Sequence, residues 1–131
     1  MSDAPKPAAG TIGWLDLTVD NAKEIRDFYQ AVTGWTVGAV SMGDYDDYNM
    51  QVPSTSTPVA GVCHKRGGNA DLPSAWMVYV NVADLDESMQ RCHDLGGKVI
   101  SGPKGMGNMG RYCIIEDPAG AVMALFEPKD E

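Results

Sequence analysis

The chain has 131 residues, of which 44% are hydrophobic and 21% charged, and its formal net charge is −8 at pH 7. This length corresponds to one ordinary domain that buries roughly 65–70% of the surface its unfolded chain exposes, and the composition is globular rather than disordered. The acidic balance argues against a nucleic-acid partner, because phosphate binding needs a basic face, and favours a cationic or neutral ligand.

Redox and targeting signals are few. Cys63, Cys92 and Cys113 have no C-x-x-C spacing, so neither a disulfide framework nor a zinc ribbon is expected. The first ten residues lack both the basic start and the apolar run of a signal peptide, and no run of about 18 apolar residues occurs. We therefore expect a cytoplasmic protein without membrane association, with a flexible leader over residues 1–10.

The first half of the chain predicts a strand, a helix and three more strands. Leu15, Leu17 and Val19 alternate with other residues, as in a half-buried strand. The expected bounds are about 12–19, 22–33 for the helix, 36–41, 46–52 and 58–64. The apolar face of the helix is predicted to consist of Ile25, Phe28, Tyr29 and Val32.

The second half repeats this order. Val78, Val80 and Val82 alternate as in the first strand, and the segment DPAG (117–120) is typical of a hairpin turn. The expected bounds are 76–82, 85–95 for the helix, 98–101, 111–116 and 121–127.

A single offset of 63 residues (77 − 14) relates the two halves. It places Asn21 on Asp84 and Gly34 on Gly97, a predicted helix start and a predicted left-handed helix end in each half. The sequence therefore predicts an internal duplication of the class α+β, with two tandem βαβββ modules at about 11–66 and 74–128 forming one domain over 11–131.

The spacing G-x-G-x-x-G occurs at Gly105, Gly107 and Gly110, as in dinucleotide-binding proteins. The residues that follow, RYCIIED, favour a strand and a turn, so no helix N-terminus is available for a pyrophosphate. We interpret the glycines of 102–110 as a long, bendable connection between two strands, mobile without ligand.

The duplicated modules, with DFYQAVTGW (27–35) after the first strand and EDPAGAVMALFEP (116–128) at the end, resemble the vicinal oxygen chelate superfamily. That superfamily includes glyoxalase I, extradiol dioxygenases and bleomycin-resistance proteins. The segments GWLDL, AWMVYV and GRYCII are similar to its glyoxalase-like branch. The resemblance covers about 12–128 and implies a curved mixed sheet around a ligand-binding cleft.

The resemblance also implies where a metal would be bound. The metal enzymes of the superfamily place one His, Gln or Glu ligand on the first and last strand of each module. By register, these four positions are Trp14, Gly61, Met77 and Ala124. None of these residues is a plausible ligand for a divalent cation, so we expect no metal and no other cofactor.

A displaced metal site is an alternative. Asp16 lies two residues after Trp14 and therefore on the same side of the strand. Asp16, Cys63 or His64, and Glu116 are candidates for such a site. The competing interpretation is that His64 is exposed or bonded to backbone and that Asp16 is bonded to a neighbouring tyrosine.

Alternation predicts which side chains line the cleft. Tyr48 and Met50 are expected from the third strand, and Arg111 is expected to cap the cleft, to bind a substrate carboxylate or to form an ordinary salt bridge. The segment 45–48, YDDY, is interpreted as a solvated hairpin. Core packing is the alternative interpretation for the aromatic residues of the lining. The full predicted lining is Trp14, Asp16, Thr18, Tyr48, Met50, Met77, Tyr79, Asn81, Val122 and Phe126.

Three functions remain open. The first is a metal-free protein that binds a small apolar or aromatic molecule; a homodimer is expected independently of this choice. The second is a lyase or isomerase with a relocated metal or with acid–base groups such as Asp16, Tyr79 and His64. The third is a structural or regulatory module whose own side chains fill the cleft.

Overall fold

A computed structural model describes residues 6–67 and 70–129. The order of elements is βαβββ twice, which confirms the predicted α+β class. The elements are β1 (Ile12–Val19), α1 (Ala22–Thr33), β2 (Thr36–Ser41), β3 (Asp46–Val52), β4 (Thr57–His64), β5 (Trp76–Asn81), α2 (Leu85–Asp94), β6 (Lys98–Gly105), β7 (Gly110–Glu116) and β8 (Val122–Pro128).

The chain divides into two compact units. The first unit is Trp14–Trp76, and the second unit runs from Met77 onward together with the segment that ends at Gly13. Within the described residues no helix is both long enough and apolar enough to cross a membrane.

The first unit contains a mixed sheet with strand order β2-β3-β4-β1. β1 and β4 are parallel, and the other neighbouring pairs are antiparallel. A parallel pair needs a crossover connection, and α1 begins that connection after β1. The core of this unit consists of Leu17, Val19, Ala22, Tyr48, Met50, Ala60 and Val62.

The second unit has the equivalent strand order, β5-β8-β7-β6, with β5 and β8 parallel. Its core is formed by Leu85, Cys113 and Leu125. Val80 and Val82 from β5 and Met89 from α2 pack against that core.

The register of the central strand pair is the same in both units. Asp16 lies opposite Gly61 in the first unit, and Tyr79 lies opposite Ala124 in the second. Each residue of the second pair follows its counterpart by 63 positions (79 − 16 and 124 − 61). The predicted duplication is therefore present in the backbone pairing as well as in the sequence.

The helix ends follow the prediction in part. Gly34 ends α1 in a left-handed conformation, with φ +84°. In the second unit the left-handed residue is Gly96, with φ +95°, so the prediction of Gly97 is wrong by one residue. Gly97 is needed for a different reason, since a Cβ there would lie 2.7 Å from Cys92 Sγ and 2.9 Å from the Glu116 carbonyl oxygen.

The helix starts differ between the units. The Asp84 carboxylate accepts a hydrogen bond from the Glu87 backbone N–H at 3.0 Å, as an N-cap does. Asn21 makes no such cap, because its side-chain amide donates to the Glu24 carboxylate at 3.1 Å. Of the predicted capping box, α2 thus has the bond to the N-cap side chain, and α1 lacks it.

The apolar face of α1 is narrower than predicted. Ile25 and Tyr29 pack against the core, but Phe28 is 54% exposed and Val32 is 64% exposed. Because Ile25 and Tyr29 are four residues apart, they form a single row along the helix. Phe28 and Val32 form the adjacent row, which the sheet of this unit does not cover.

The glycine-rich segment contains more strand than predicted. β6 extends to Gly105, so the connection to β7 is a four-residue turn rather than a long loop. The Met106 N–H donates to the Gly110 carbonyl at 2.8 Å, and the Met109 N–H donates to the Met106 carbonyl at 3.1 Å. A strand follows this turn, as predicted, so the segment has no dinucleotide-binding geometry.

The end of the predicted leader is bound to the second unit. The Gly10 N–H donates to the Asn81 carbonyl at 2.7 Å, and the Asn81 side-chain amide donates to Thr11 Oγ1 at 2.9 Å. Residues 1–5 of the predicted leader lie outside the described part of the chain.

Candidate functional site

A hydrogen-bonded pair on β1 is the centre of the candidate site. The Trp14 indole N–H donates to Asp16 Oδ1 at 2.6 Å, and both side chains are partly buried. Residues two apart on a strand share a face, so the bond runs along one side of the sheet. Asp16 is therefore bonded to Trp14, a partner that the sequence analysis did not anticipate.

Gly61 lies beneath this pair on the neighbouring strand. A Cβ at position 61 would collide with Asp16 Oδ1 and would lie 3.4 Å from the Trp14 indole nitrogen. The missing side chain of Gly61 thus leaves the space that the Asp16 carboxylate occupies. We call Trp14, Asp16 and Gly61 together the indole–carboxylate site.

Cys63 lies two residues beyond Gly61 on β4 and completes this face. Burial raises the pKa of the Cys63 thiol, and the carboxylates of Asp16 and Asp47 raise the same pKa further. The thiol therefore remains protonated at neutral pH and is a weak nucleophile, since the thiolate is the reactive form. The arrangement offers hydrogen-bond acceptors and an aromatic surface rather than a nucleophile.

Tyr48 and Met50 do not share this face, so their predicted place in the lining is wrong. Tyr48 lies opposite Val62, which in turn lies opposite Leu17, and all three belong to the core of the first unit. Met50 is fully buried in the same core. Met50 lies opposite Ala60, another core residue, so the pairing of β3 with β4 places Tyr48 and Met50 on the core face.

His64 also lies away from the indole–carboxylate site. It pairs with Val19, a core residue, and its ring lies 6.1 Å from the Tyr48 ring and 5.5 Å from the Tyr45 ring. Asp47 accepts from the His64 backbone N–H at 2.9 Å and lies 3.3 Å from its Nδ1. His64 is thus a strand-end histidine, but its ring is half-buried beside the Asp47 carboxylate rather than exposed or bonded to backbone.

The acidic-aromatic segment 45–48 is not a solvated hairpin. Asp47 is 8% exposed and Tyr48 is 7% exposed. The Arg26 guanidinium lies over the Tyr48 ring at 4.6 Å, and the Arg66 guanidinium lies over the Tyr45 ring at 3.9 Å. Cation–π contacts thus cover this segment, and Asp47 is the buried acceptor that the sequence pattern did not reveal.

The equivalent face of the second unit is aromatic. Tyr79 lies opposite Ala124, and the rings of Tyr79 and Tyr112 are 6.3 Å apart. Tyr112 lies opposite Phe126, so these rings share one side of the sheet. Tyr112 was not among the predicted lining residues. Neighbouring residues of a strand point to opposite faces, so the burial of Cys113 in the core would have predicted Tyr112 on the face that carries Tyr79.

Three more predicted residues of the second unit have defined environments. Met77 is 7% exposed and Asn81 is 4% exposed. The Asn81 side-chain amide donates to Thr11 Oγ1, so it makes a structural contact with the residue that precedes β1. Val122 lies opposite Glu116 at the start of β8.

Arg111 forms an ion-pair network rather than a cap over a ligand. Its guanidinium donates to both carboxylate oxygens of Asp86, at 3.3 and 3.0 Å, and to Glu127 Oε1 at 3.0 Å. Glu127 Oε1 also accepts the Leu85 backbone N–H at 2.8 Å, at the start of α2. The Arg111 hydrogen bonds lower the pKa of Asp86. Of the roles considered for Arg111, the salt bridge is the one the structure contains.

The surface depressions detected in the second unit lie along α2. Volumes of about 440 and 370 Å³ are bordered by the helix side chains Glu87 and Arg91, which also pair with each other. Both depressions are wide open to solvent, unlike the enclosed pocket of a typical small-molecule site.

The displaced metal site is also not assembled. Within residues 6–67 and 70–129, no three His, Cys, Asp or Glu side chains converge closely enough to hold a metal ion. The four positions implied by the resemblance carry an indole, a glycine, a thioether and a methyl group, at Trp14, Gly61, Met77 and Ala124.

Comparison with known proteins establishes the family. The profile of the Glyoxalase/Bleomycin resistance protein/Dioxygenase superfamily matches residues 11–125. The chain therefore belongs to this superfamily, as its paired βαβββ units and their repeated register indicate.

Among curated relatives, the chain is 29% identical over 119 residues to the putative glyoxylase CFP32 of Mycobacterium tuberculosis. It is 31% identical over 134 residues to the anthracycline biosynthesis protein DnrV of Streptomyces peucetius. The matches cover 91% of this chain but only 44% and 47% of those relatives. The chain thus spans slightly less than half the length of the curated relatives it matches.

Among solved structures, the chain is similar to methylmalonyl-CoA epimerase of Mycobacterium tuberculosis, with a TM-score of 0.57 and 17% identity over 98% of this chain and 95% of the epimerase. A hypothetical protein from Bacillus halodurans gives a TM-score of 0.60 at 12% identity, over 95% of this chain and 98% of that protein. At these identities, the likeness describes the fold alone.

Proposed function

We propose that this protein binds a small, largely apolar or aromatic molecule, without a metal ion, on the sheet face that carries Trp14 and Asp16. The observation that supports the proposal most directly is the 2.6 Å bond from the Trp14 indole to the Asp16 carboxylate above Gly61. Trp14 and Gly61 are two of the positions at which the superfamily's metal enzymes are expected to place ligands. Here the first position carries an indole ring, and the second leaves the space that the Asp16 carboxylate occupies.

The metal-free part of the proposal follows from the donor set. A divalent cation needs several nitrogen, oxygen or thiolate donors around one ion. Trp14 is a hydrogen-bond donor only, and Gly61 has no side chain. The thioether of Met77 and the methyl group of Ala124 add one weak, soft donor. These residues do not fit the metal that the superfamily enzymes hold.

The apolar character of the ligand follows from the aromatic group on the proposed face. The partly buried Trp14 indole is the aromatic surface beside the Asp16 carboxylate. Aromatic rings with a small number of polar groups are the usual lining of small-molecule sites. A relative named as an anthracycline biosynthesis protein is consistent with a role in small-molecule chemistry.

Native mass spectrometry of the purified protein, followed by release of any bound molecule, tests the binding proposal. Titration with the recovered molecule is expected to change the tryptophan fluorescence, and Trp14→Phe should remove most of that response. Trp35→Phe is the matched control, because Trp35 packs with Tyr29 and Trp76 in the core-side aromatic cluster. An unchanged response in Trp14→Phe would contradict the proposed site.

Elemental analysis after dialysis tests the metal-free state. We expect well under one transition metal per chain, and no change of melting temperature on addition of a chelator. One equivalent of metal that survives dialysis and disappears in Asp16→Ala would instead support the enzyme alternative with a relocated metal.

We also propose that the protein forms a homodimer. β2 and β6 lie at the edges of the two sheet orders, and an uncovered strand edge favours association. A sedimentation experiment at tens of micromolar tests this proposal, and a single 14.0 kDa species would contradict it.

A further inference from the structure

The polarity of the indole–carboxylate site narrows the chemistry of its ligand. A catalytic metal ion attracts oxygen lone pairs of a substrate. An ionised carboxylate has the opposite preference, because it accepts hydrogen bonds and attracts positive charge. The Asp16 carboxylate lies over Gly61, at one of the superfamily's metal-ligand positions. A ligand that binds there must therefore present a donor.

Trp14 fixes the direction of that carboxylate. Its N–H bonds Oδ1 at 2.6 Å, which holds the side chain along the strand. A carboxylate has two oxygens and about four acceptor positions, so it can accept a ligand donor in addition to its bonds within the protein. The adjacent indole ring supplies the electron-rich face that organic cations prefer over other aromatic rings.

Two carboxylates lie close together on this face. Burial raises the pKa of the Cys63 thiol, and the neighbouring carboxylates of Asp16 and Asp47 raise it further. Arg26 lies over Tyr48, on the core side of the sheet, and donates to Asp27 at 2.9 Å. The chain as a whole carries a net charge of −8, which attracts cationic ligands over a longer range.

On the basis of the proposed binding function, we infer that the ligand is an organic cation: an apolar or aromatic body that lies against Trp14 and bears an ammonium group bonded to Asp16. The carboxylate selects the charge of the ligand, and the indole selects its apolar body.

Equilibrium dialysis with three probes of one shape tests this inference. Naphthylmethylamine, naphthylmethanol and naphthoate share an aromatic body and differ in charge at neutral pH. We expect the amine to bind about tenfold more tightly than the alcohol, the size of effect usual for a charge-assisted hydrogen bond. We expect the carboxylate probe to bind most weakly.

Two variants separate the inference from the proposed function. Asp16→Asn retains an acceptor for the Trp14 N–H and should bind the amine and the alcohol equally. Asp27→Asn is the control, since Asp27 is an exposed aspartate paired with Arg26, and should behave as wild type. Equal affinity for amine and alcohol in the wild type, or a preference that survives Asp16→Asn, would overturn the inference alone. Absence of binding for all three probes, or binding unaffected by Trp14→Phe, would overturn the proposed function as well.

Discussion

Asp16 and Gly61 are neighbours across the parallel pair β1 and β4, and the carboxylate of Asp16 occupies the space that a side chain at position 61 would need. Ala124, the residue 63 positions later, has a Cβ and lies opposite Tyr79 instead. The two units therefore share a register but differ in what that register can accommodate.

Gly61→Ala should displace the Asp16 carboxylate and weaken its bond to Trp14. We expect a loss of about 1–3 kcal/mol in the free energy of unfolding, the usual cost of overpacking a buried position. Urea denaturation gives this value, and the emission of Trp14 should shift at the same time. Gly105→Ala is the control, because nothing lies within 4 Å of a Cβ there, and it should change stability by less than about 0.5 kcal/mol.

Truncation of a buried and of an exposed apolar side chain in the first unit should cause different losses in the free energy of unfolding. Met50 has no exposed surface, so Met50→Ala should cost about 2–5 kcal/mol. Phe28 is 54% exposed, so Phe28→Ala should cost much less. Thermal unfolding of both variants measures the difference. Similar losses would mean that Phe28 is covered in solution, for example by a second copy of the chain.

The ion pair between Arg111 and Asp86 should stabilise the protein in a pH-dependent manner. The pKa of Asp86 is lowered by its hydrogen bonds to Arg111. Its contribution is therefore present above the unfolded value of about 3.9 and is lost as the pH falls through the folded value. The stability difference between wild type and Arg111→Met should shrink in acid, as measured by urea denaturation at several pH values. Arg91→Met, at an exposed helix pair, is the control.

The buried thiol of Cys113 should make the protein less stable in alkali. Burial raises the pKa of this thiol to about 11, against about 8.5 in an unfolded chain. The stabilisation is complete below pH ~8.5 and is lost as the pH rises toward the folded pKa, by up to about 1.4 kcal/mol per pH unit. Cys113→Ala should show a shallower decline over this range. An equally steep decline in that variant would exclude Cys113 as the cause.

The sequence alone was sufficient for the elements because their signals are local. Alternation in LDL and VYV, the glycine after α1 and the Asp-Pro turn each act within a few residues, and the offset of 63 adds a second copy of each signal. The position of Trp14 and Asp16 on one face also follows from the two-residue period of a strand. Their hydrogen bond could have been anticipated from the spacing W-x-D together with the bare Gly61.

The face of β3 and the partners of Arg111 were not accessible in the same way. The faces of Tyr48 and Met50 depend on their pairing with Val62 and Ala60 of β4, which the alternation of residues along β3 alone does not report. Arg111 pairs with Asp86, a residue of α2, so the contact depends on how the helix is placed against the strand. Tertiary packing decides both features, and one sequence carries no direct record of it.

The parallel pairing of the first and last strand in each unit has a consequence for folding. All of α1, β2 and β3 lies between Asp16 and Gly61, and the same arrangement recurs between Tyr79 and Ala124. The antiparallel strands of each unit can form from neighbouring segments, whereas the central pair must close a long loop first. We therefore expect the indole–carboxylate site to be completed late, when Gly61 of β4 pairs with Asp16 of β1.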